Sequence, residues 1–238
     1  MALNAYIAQV QSLLDDPGAV VYTVPNLTIF VNDARVQIAM ATESIRFIGL
    51  LGLTANIQAY AFNQFTGMTA GIAGPLVVRK ASVRNPTEWT EMFDREWEWF
   101  WSNCLNGPRS VTPGTPDTYS QFQPGIGGIF FVSPTPTTGL NARADLVGYP
   151  INLATDADPE ALPYPWTEAV QYYAAYLALL NAQRYADADS MLQRYDLFQT
   201  RATQGTTPTT LPVQYPGQGG AAIAGEARPI TAQRGGQR

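Results

Sequence analysis

Acidic side chains set among tryptophans are the residues in this chain whose type and spacing could do chemistry. In "PTEWTEMFDREWEWFWSNCL", Glu91, Asp94, Glu96 and Glu98 lie between Trp89, Trp97, Trp99 and Trp101. A pair of carboxyl groups is all a glycosidase needs, and tryptophan faces can hold a sugar. The same interleaving also describes the solvated face of a helix, with Asp94 and Glu98 at i,i+4 on it. A second acidic group, Asp156, Asp158 and Glu160, is oxygen-rich, but lacks the glycine and terminal glutamate of an EF-hand loop. It reads as a polar lead-in to the helix that follows.

Other chemistry is excluded by composition. The chain has no histidine and one cysteine, Cys104, which removes histidine-based triads and the usual zinc shells. A serine–lysine dyad would need Lys80, the only lysine, which sits in the strand-like "VVRKASVR". "GIGG" at 125–128 precedes "IFFV" and not a helix, so it reads as the start of a strand and not as a phosphate loop. "NLT" at 26–28 matches a glycosylation acceptor, but Asn26 is placed as a helix cap. No catalytic, cofactor or metal residue is assigned.

The elements around these residues divide the chain. Leu3, Tyr6, Ile7, Val10, Leu13 and Leu14 follow a helical period that stops at "DDPG". Leu27, Phe30, Val31, Ala34, Ile38, Ala41 and Ile45 predict a second helix over 27–46, capped by Asn26 or Thr28. Residues 48–163 are rich in Gly and Pro, with strand-like "PLVVRKASVR", "GGIFFVSP" and "LNARADLVGYPINL". The last two predict a hairpin across "PTPTTG". The Trp-rich stretch between predicts a short helix with Trp89, Phe93, Trp97 and Phe100 on one face.

"PYPWTEAVQYYAAYLALLNAQRY", residues 163–185, predicts a helix apolar nearly all round. One stripe, Trp166, Val170, Tyr173, Leu177 and Leu180, is expected inside the subunit. A second, Tyr172, Tyr176 and Leu179, is the candidate subunit interface, with the inserted β-rich region as the alternative covering. Another helix is expected over 187–201, with Ala188, Met191, Leu192, Tyr195 and Phe198 inward. From Ala202 the periodicity ends in a Gly-, Pro-, Thr- and Gln-rich arm. The resulting division is 1–47, 48–163, 164–201 and 202–238. The fold class expected is α+β, mainly α, with helices at both ends, an inserted β-rich region and an extended arm.

Charged residues are 14% of the chain and apolar ones 46%, so much of the surface is neutral. The net charge is −5, which argues against wrapping nucleic acid. Arg228, Arg234 and Arg238 against Glu226 give the arm +2, leaving −7 elsewhere. The start of the chain lacks a basic n-region, and no apolar run reaches the ~20 residues of a membrane span. A protein made inside a cell is expected.

The order of "LTIFVNDARVQIAMATESIR", the β-rich region, "GGIFFVSPTP" and "VGYPINLATDADPEALPYPWTEAVQYYAAYLALLNAQRYADADSMLQRYDLFQTRA" resembles head-to-tail adaptors of short-tailed bacteriophages. The resemblance runs through residues 1–202, apart from 48–75. It implies a helical bundle core in a virion neck protein without catalysis or cofactor, forming a homo-oligomeric ring, usually a dodecamer, beneath the portal protein. Such a ring extends the channel for genomic DNA and carries tail or nozzle proteins below. It further implies that the arm reaches onto the portal, with Tyr215, Arg228, Arg234 and Arg238 as candidates. Some adaptors of this kind are linked with peptidoglycan hydrolysis, so a virion hydrolase using Glu91 or Glu96 with a second acid is the alternative. A scaffold of a cellular assembly is a third possibility. A head-to-tail ring needs two different side faces, which suits a charge-poor subunit. The isolated protein is expected to be monomeric and to assemble on the portal.

Overall fold

The computed structural model describes residues 1–206 except 19, 86, 108–112, 124 and 126. The first helix, α1 (Leu3–Leu13), buries Leu3, Tyr6, Ile7 and Val10, the stripe its spacing predicts. The second, α2 (Val24–Thr42), starts earlier than expected. Thr23 occupies the N-cap position and Pro25 the first turn, where a missing N–H costs nothing. It ends at Glu43, whose backbone is left-handed at φ 49°. Neither Asn26 nor Thr28 is the cap.

The strands are β1 (Arg46–Leu53), β2 (Ala59–Ala61), β3 (Ile72–Asn85), β4 (Glu88–Asp94), β5 (Thr118–Phe122), β6 (Ile129–Ser133) and β7 (Leu140–Pro150). They form one seven-stranded sheet in the order β1-β7-β3-β4-β5-β6-β2, curled into a half-barrel. All neighbours run antiparallel except β4 and β5. Register shifts along β3 interrupt its ladder with β7, and such bulges bend a strand. The connection after β2 also comes back to β1: Leu50 and Thr66 exchange backbone hydrogen bonds of 2.9 and 2.8 Å.

The sheet holds its own core. Phe47, Leu51 and Leu53 of β1 pack with Tyr60, Phe62, Phe65, Val83, Met92, Phe130 and Leu146. Strict alternation along β1 sends Arg46, Ile48 and Leu50 outward. Gly49 shares the inward phase, and a Cβ there would stand 2.3 Å from Leu146 Cδ1. Outside, charges of alternating sign cross the sheet: Arg46 pairs with Asp145, whose register partner Lys80 lies 3.7 Å from Glu91.

Two further helices follow, α4 (Trp166–Asn181) and α5 (Tyr185–Thr206), and α3 (Trp97–Phe100) lies between β4 and β5. Helices α1, α2 and α4 pack together, and α2 also touches β7.

Three expectations need correction. The fold is α+β around the half-barrel sheet with two C-terminal helices, not a helical bundle core with an inserted β region. The strands bury enough side chains on each other to be a core in their own right. The Trp-rich stretch is not one helix. "EWTEMFD" pairs with β3 as β4, putting Met92 inside and Trp89 outside under Arg143, 4.5 Å from its ring. The helical spacing of Trp89, Phe93, Trp97 and Phe100 is coincidental there.

β6 and β7 are not a hairpin. Both edges of β7 are taken by β1 and β3, while β6 lies between β5 and β2. The loop joining them is engaged elsewhere: Pro136 accepts the Asn56 N–H at 2.9 Å.

Candidate functional site

The best-defined polar constellation sits where α1 and α2 meet the segment before α4. The Arg35 side chain is 0% exposed and that of Glu160 8%. Arg35 donates to the carboxylate through Nε at 3.0 Å and Nη2 at 2.8 Å, a two-pronged pairing. Its Nη1 donates to the Ile151 carbonyl at 2.7 Å and to Asn32 Oδ1 at 3.1 Å. Asn32 also exchanges hydrogen bonds with the Leu153 backbone at 2.8 and 3.0 Å. Tyr6 of α1 donates its hydroxyl to Glu160 at 2.8 Å. A buried ion pair is tolerated when its remaining polar atoms are satisfied, and here they are.

The other two acids of that segment are occupied in the same way. Asp156 accepts the Asn4 backbone N–H at 2.7 Å, capping α1 from a distant segment because Ala2 at its N-cap has no side chain to do so. Asp158 accepts the N–H groups of Ala154 and Thr155 at 2.8 and 2.6 Å. These acids build a loop, and no cation-binding group of acids occurs among the described residues.

Burial alone would raise the Glu160 carboxyl. The Arg35 hydrogen bonds and charge, with the Leu162 N–H and Tyr6 hydroxyl, outweigh it and hold the group below the usual range. Hydrogen bonds from Tyr22, Val20 and Val21 lower Asp16 likewise. A depressed folded pKa contributes stability above the unfolded value, lost as pH falls through the folded one. Unfolding free energy should therefore drop as pH falls below about 4. Glu160→Gln, compared with wild type in urea titrations at successive pH values, should flatten that slope.

The nearly all-apolar helix, α4, is covered on two sides. Its buried positions include Trp166, Ala169, Val170, Ala174, Ala175, Ala178 and Leu179. Small alanines let α1 and α2 approach closely. Tyr173, Leu177 and Leu180, expected inside, are only half-buried. The tyrosines face α5: Tyr173 meets Tyr195 at 5.0 Å and Tyr176 at 5.5 Å, and Tyr172 meets Phe198 at 6.2 Å. Of the interface candidates, Leu179 is buried within the subunit, while Tyr172 and Tyr176 keep part of their surface exposed. Burial pushes the Tyr195 hydroxyl up to about 12.

Glu91 and Asp94 line one groove with Arg79, Lys80 and Tyr119, where β4 leaves β3 for β5. Burial raises the Asp94 carboxyl against the Arg95 N–H and the Arg79 charge. Arg79 itself pairs with Glu43. Glu96 stands at the N-cap position of α3.

Apolar side chains stand exposed at several places, Ile29, Phe93 and Tyr164 among them, and two neighbouring pairs lie on separate elements. Asp16 accepts the N–H groups of Val20, Val21 and Tyr22, each at 2.9 Å, and so folds the α1–α2 loop around its carboxylate. That loop lifts Val20 and Val21 into solvent, 83% and 69% exposed. On the outer face of β1, Ile48 and Leu50 are 57% and 49% exposed.

Neither feature was singled out in the sequence, nor was the Arg35–Glu160 pair. A lone arginine in the apolar phase of "VNDARVQIA" was the available signal for the pair.

The arm candidates Tyr215, Arg228, Arg234 and Arg238 lie outside the described residues. Helix α5 continues to Thr206, past the expected start of the arm. No helix among the described residues is long and apolar enough to cross a membrane. No protein-family model matches the chain, and no curated protein matches it in sequence.

Proposed function

We propose that the chain is a non-catalytic subunit of a head-to-tail adaptor ring in the neck of a short-tailed phage. In this reading it sits beneath the portal, continues the DNA channel and carries the tail. The observation behind it is that two adjacent pairs of exposed apolar residues, Val20–Val21 and Ile48–Leu50, lie on different elements. A ring closed by head-to-tail contacts uses two unlike patches, one from each neighbour. The low charge content, 14%, and the resemblance of segment order favour the same reading. The half-exposed Tyr172 and Tyr176 would add to such a contact, and the arm would reach the portal.

The test is co-sedimentation of the purified chain with portal rings. Saturable binding is expected, with the chain alone remaining small. Failure to bind a portal from the same phage removes the proposal.

A second reading, hydrolysis of peptidoglycan by paired carboxylates, draws on Glu91 and Asp94 sharing a groove in which burial raises Asp94. Clearing in a zymogram that Glu91→Gln or Asp94→Asn abolishes would favour it over the structural role.

A further inference from the structure

An aromatic corner beside α3 fits neither the ring contact nor the acid groove. Trp97, Glu98, Trp101, Ser102 and Phe122 line an open groove of about 460 Å³. Trp97 packs among three phenyl rings, with centroids 4.7 Å from Phe122, 4.9 Å from Phe131 and 6.4 Å from Phe100, the last stacked on it. Trp101 stands 5.7 Å from Trp97 with its plane turned by 50°, and it is 52% exposed. The chain changes from α3 into a π-helical turn at Trp101–Leu105, an irregularity that recurs at functional sites.

The groove's chemistry is selective. Its lining among the described residues holds one charged group, the Glu98 carboxylate, and no lysine or arginine. The half-exposed Trp101 ring carries negative potential over its faces, which adds to that carboxylate, and Trp97 and Phe122 complete the aromatic lining. A cation placed over the open corner lies within reach of both indoles, since the attraction extends to about 6 Å from a ring centroid. A pyranose would need several convergent hydrogen-bonding groups, and Glu98, Ser102 and the indole N–H groups are few for that. A primary ammonium carries three N–H donors, for which the lining offers two side-chain acceptors, Glu98 and Ser102. A quaternary ammonium has no N–H to satisfy and presents only methyl groups around a positive charge.

We infer that the Trp97–Trp101 corner, with Glu98 at its edge, binds a quaternary ammonium group of the choline type. The same group can arrive as a lipid headgroup or as a soluble amine.

Titration of the full chain with choline chloride, followed by tryptophan fluorescence and by indole N–H shifts, tests this. Saturation is expected on the order of a millimolar. The neutral tert-butyl isostere of choline should bind about tenfold more weakly. Glu98→Gln changes an exposed side chain and should weaken choline several-fold while the fold persists; Trp101→Ala should abolish binding.

Flotation with phosphatidylcholine but not phosphatidylglycerol vesicles would make a headgroup the source. Choline binding without flotation would make it a soluble amine. Equal affinity for the neutral isostere, indifference to Glu98→Gln, or no choline response from the folded wild type overturns the inference. So does saturation by a neutral glycan in place of choline.

Discussion

Arg35→Ala should lower the unfolding free energy by about 3–5 kcal/mol, the range for breaking a buried pair from one side. The size follows from what remains. Glu160 would stay with its side chain 8% exposed and lose both guanidinium contacts. Of its former partners, only the Tyr6 hydroxyl and the Leu162 N–H would still hold it. The Ile151 carbonyl and one acceptor role of Asn32 would go unmatched as well. Because the Asn32 amide also holds Leu153, the damage should extend along the segment that enters α4. Arg35→Met restores volume but not charge, so it should repair little. Combining Arg35→Met with Glu160→Gln should cost less than Arg35→Met alone, because the orphaned charge is gone. Urea midpoints at neutral pH measure all of these. A loss under about 1 kcal/mol for Arg35→Ala would mean that solvent enters and rescues the carboxylate.

The second large effect concerns assembly. Replacing Val20 and Val21 with Glu, or Ile48 and Leu50 with Glu, should each prevent neighbouring subunits from joining on the portal. Both pairs are exposed, so neither change should disturb folding. A head-to-tail contact makes a sharper demand. Each variant keeps one good face, so an equal mixture should form one sound contact per pair. Cross-linking on portal rings should then give dimers as the largest species from the mixture, monomers from either variant alone, and full rings from wild type. If only one pair matters, the interface uses a different second face. Dimers from a single variant would point to a twofold contact instead.

Much of the helical part was legible from the sequence, because local periodicity reports which side faces a core. The stripe Leu3, Tyr6, Ile7 and Val10 is buried as its spacing predicts. Helix α4 begins at Trp166, directly after Pro165. Its facing differs from the one that the large apolar side chains predict. Instead Ala174, Ala175 and Ala178 are buried at the close approach, and the tyrosines turn to α5.

The sheet was harder to read. "RFIGLLGL" alternates correctly, but Ile48 and Leu50 on its outer side hide the alternation behind a continuous apolar run. Pairing between β1 and β7 joins residues nearly a hundred positions apart, and local patterns carry no information on such partners. The partner of Arg35 was hidden for the same reason. Glu160 meets Arg35 across 125 positions.

The central claim, a ring beneath a portal, is tested most directly by electron microscopy of the purified chain mixed with portal rings. The account predicts a closed collar of subunits on one face of the portal, coaxial with its channel. Portal rings left bare at saturating protein, or subunits scattered without closure, would contradict it.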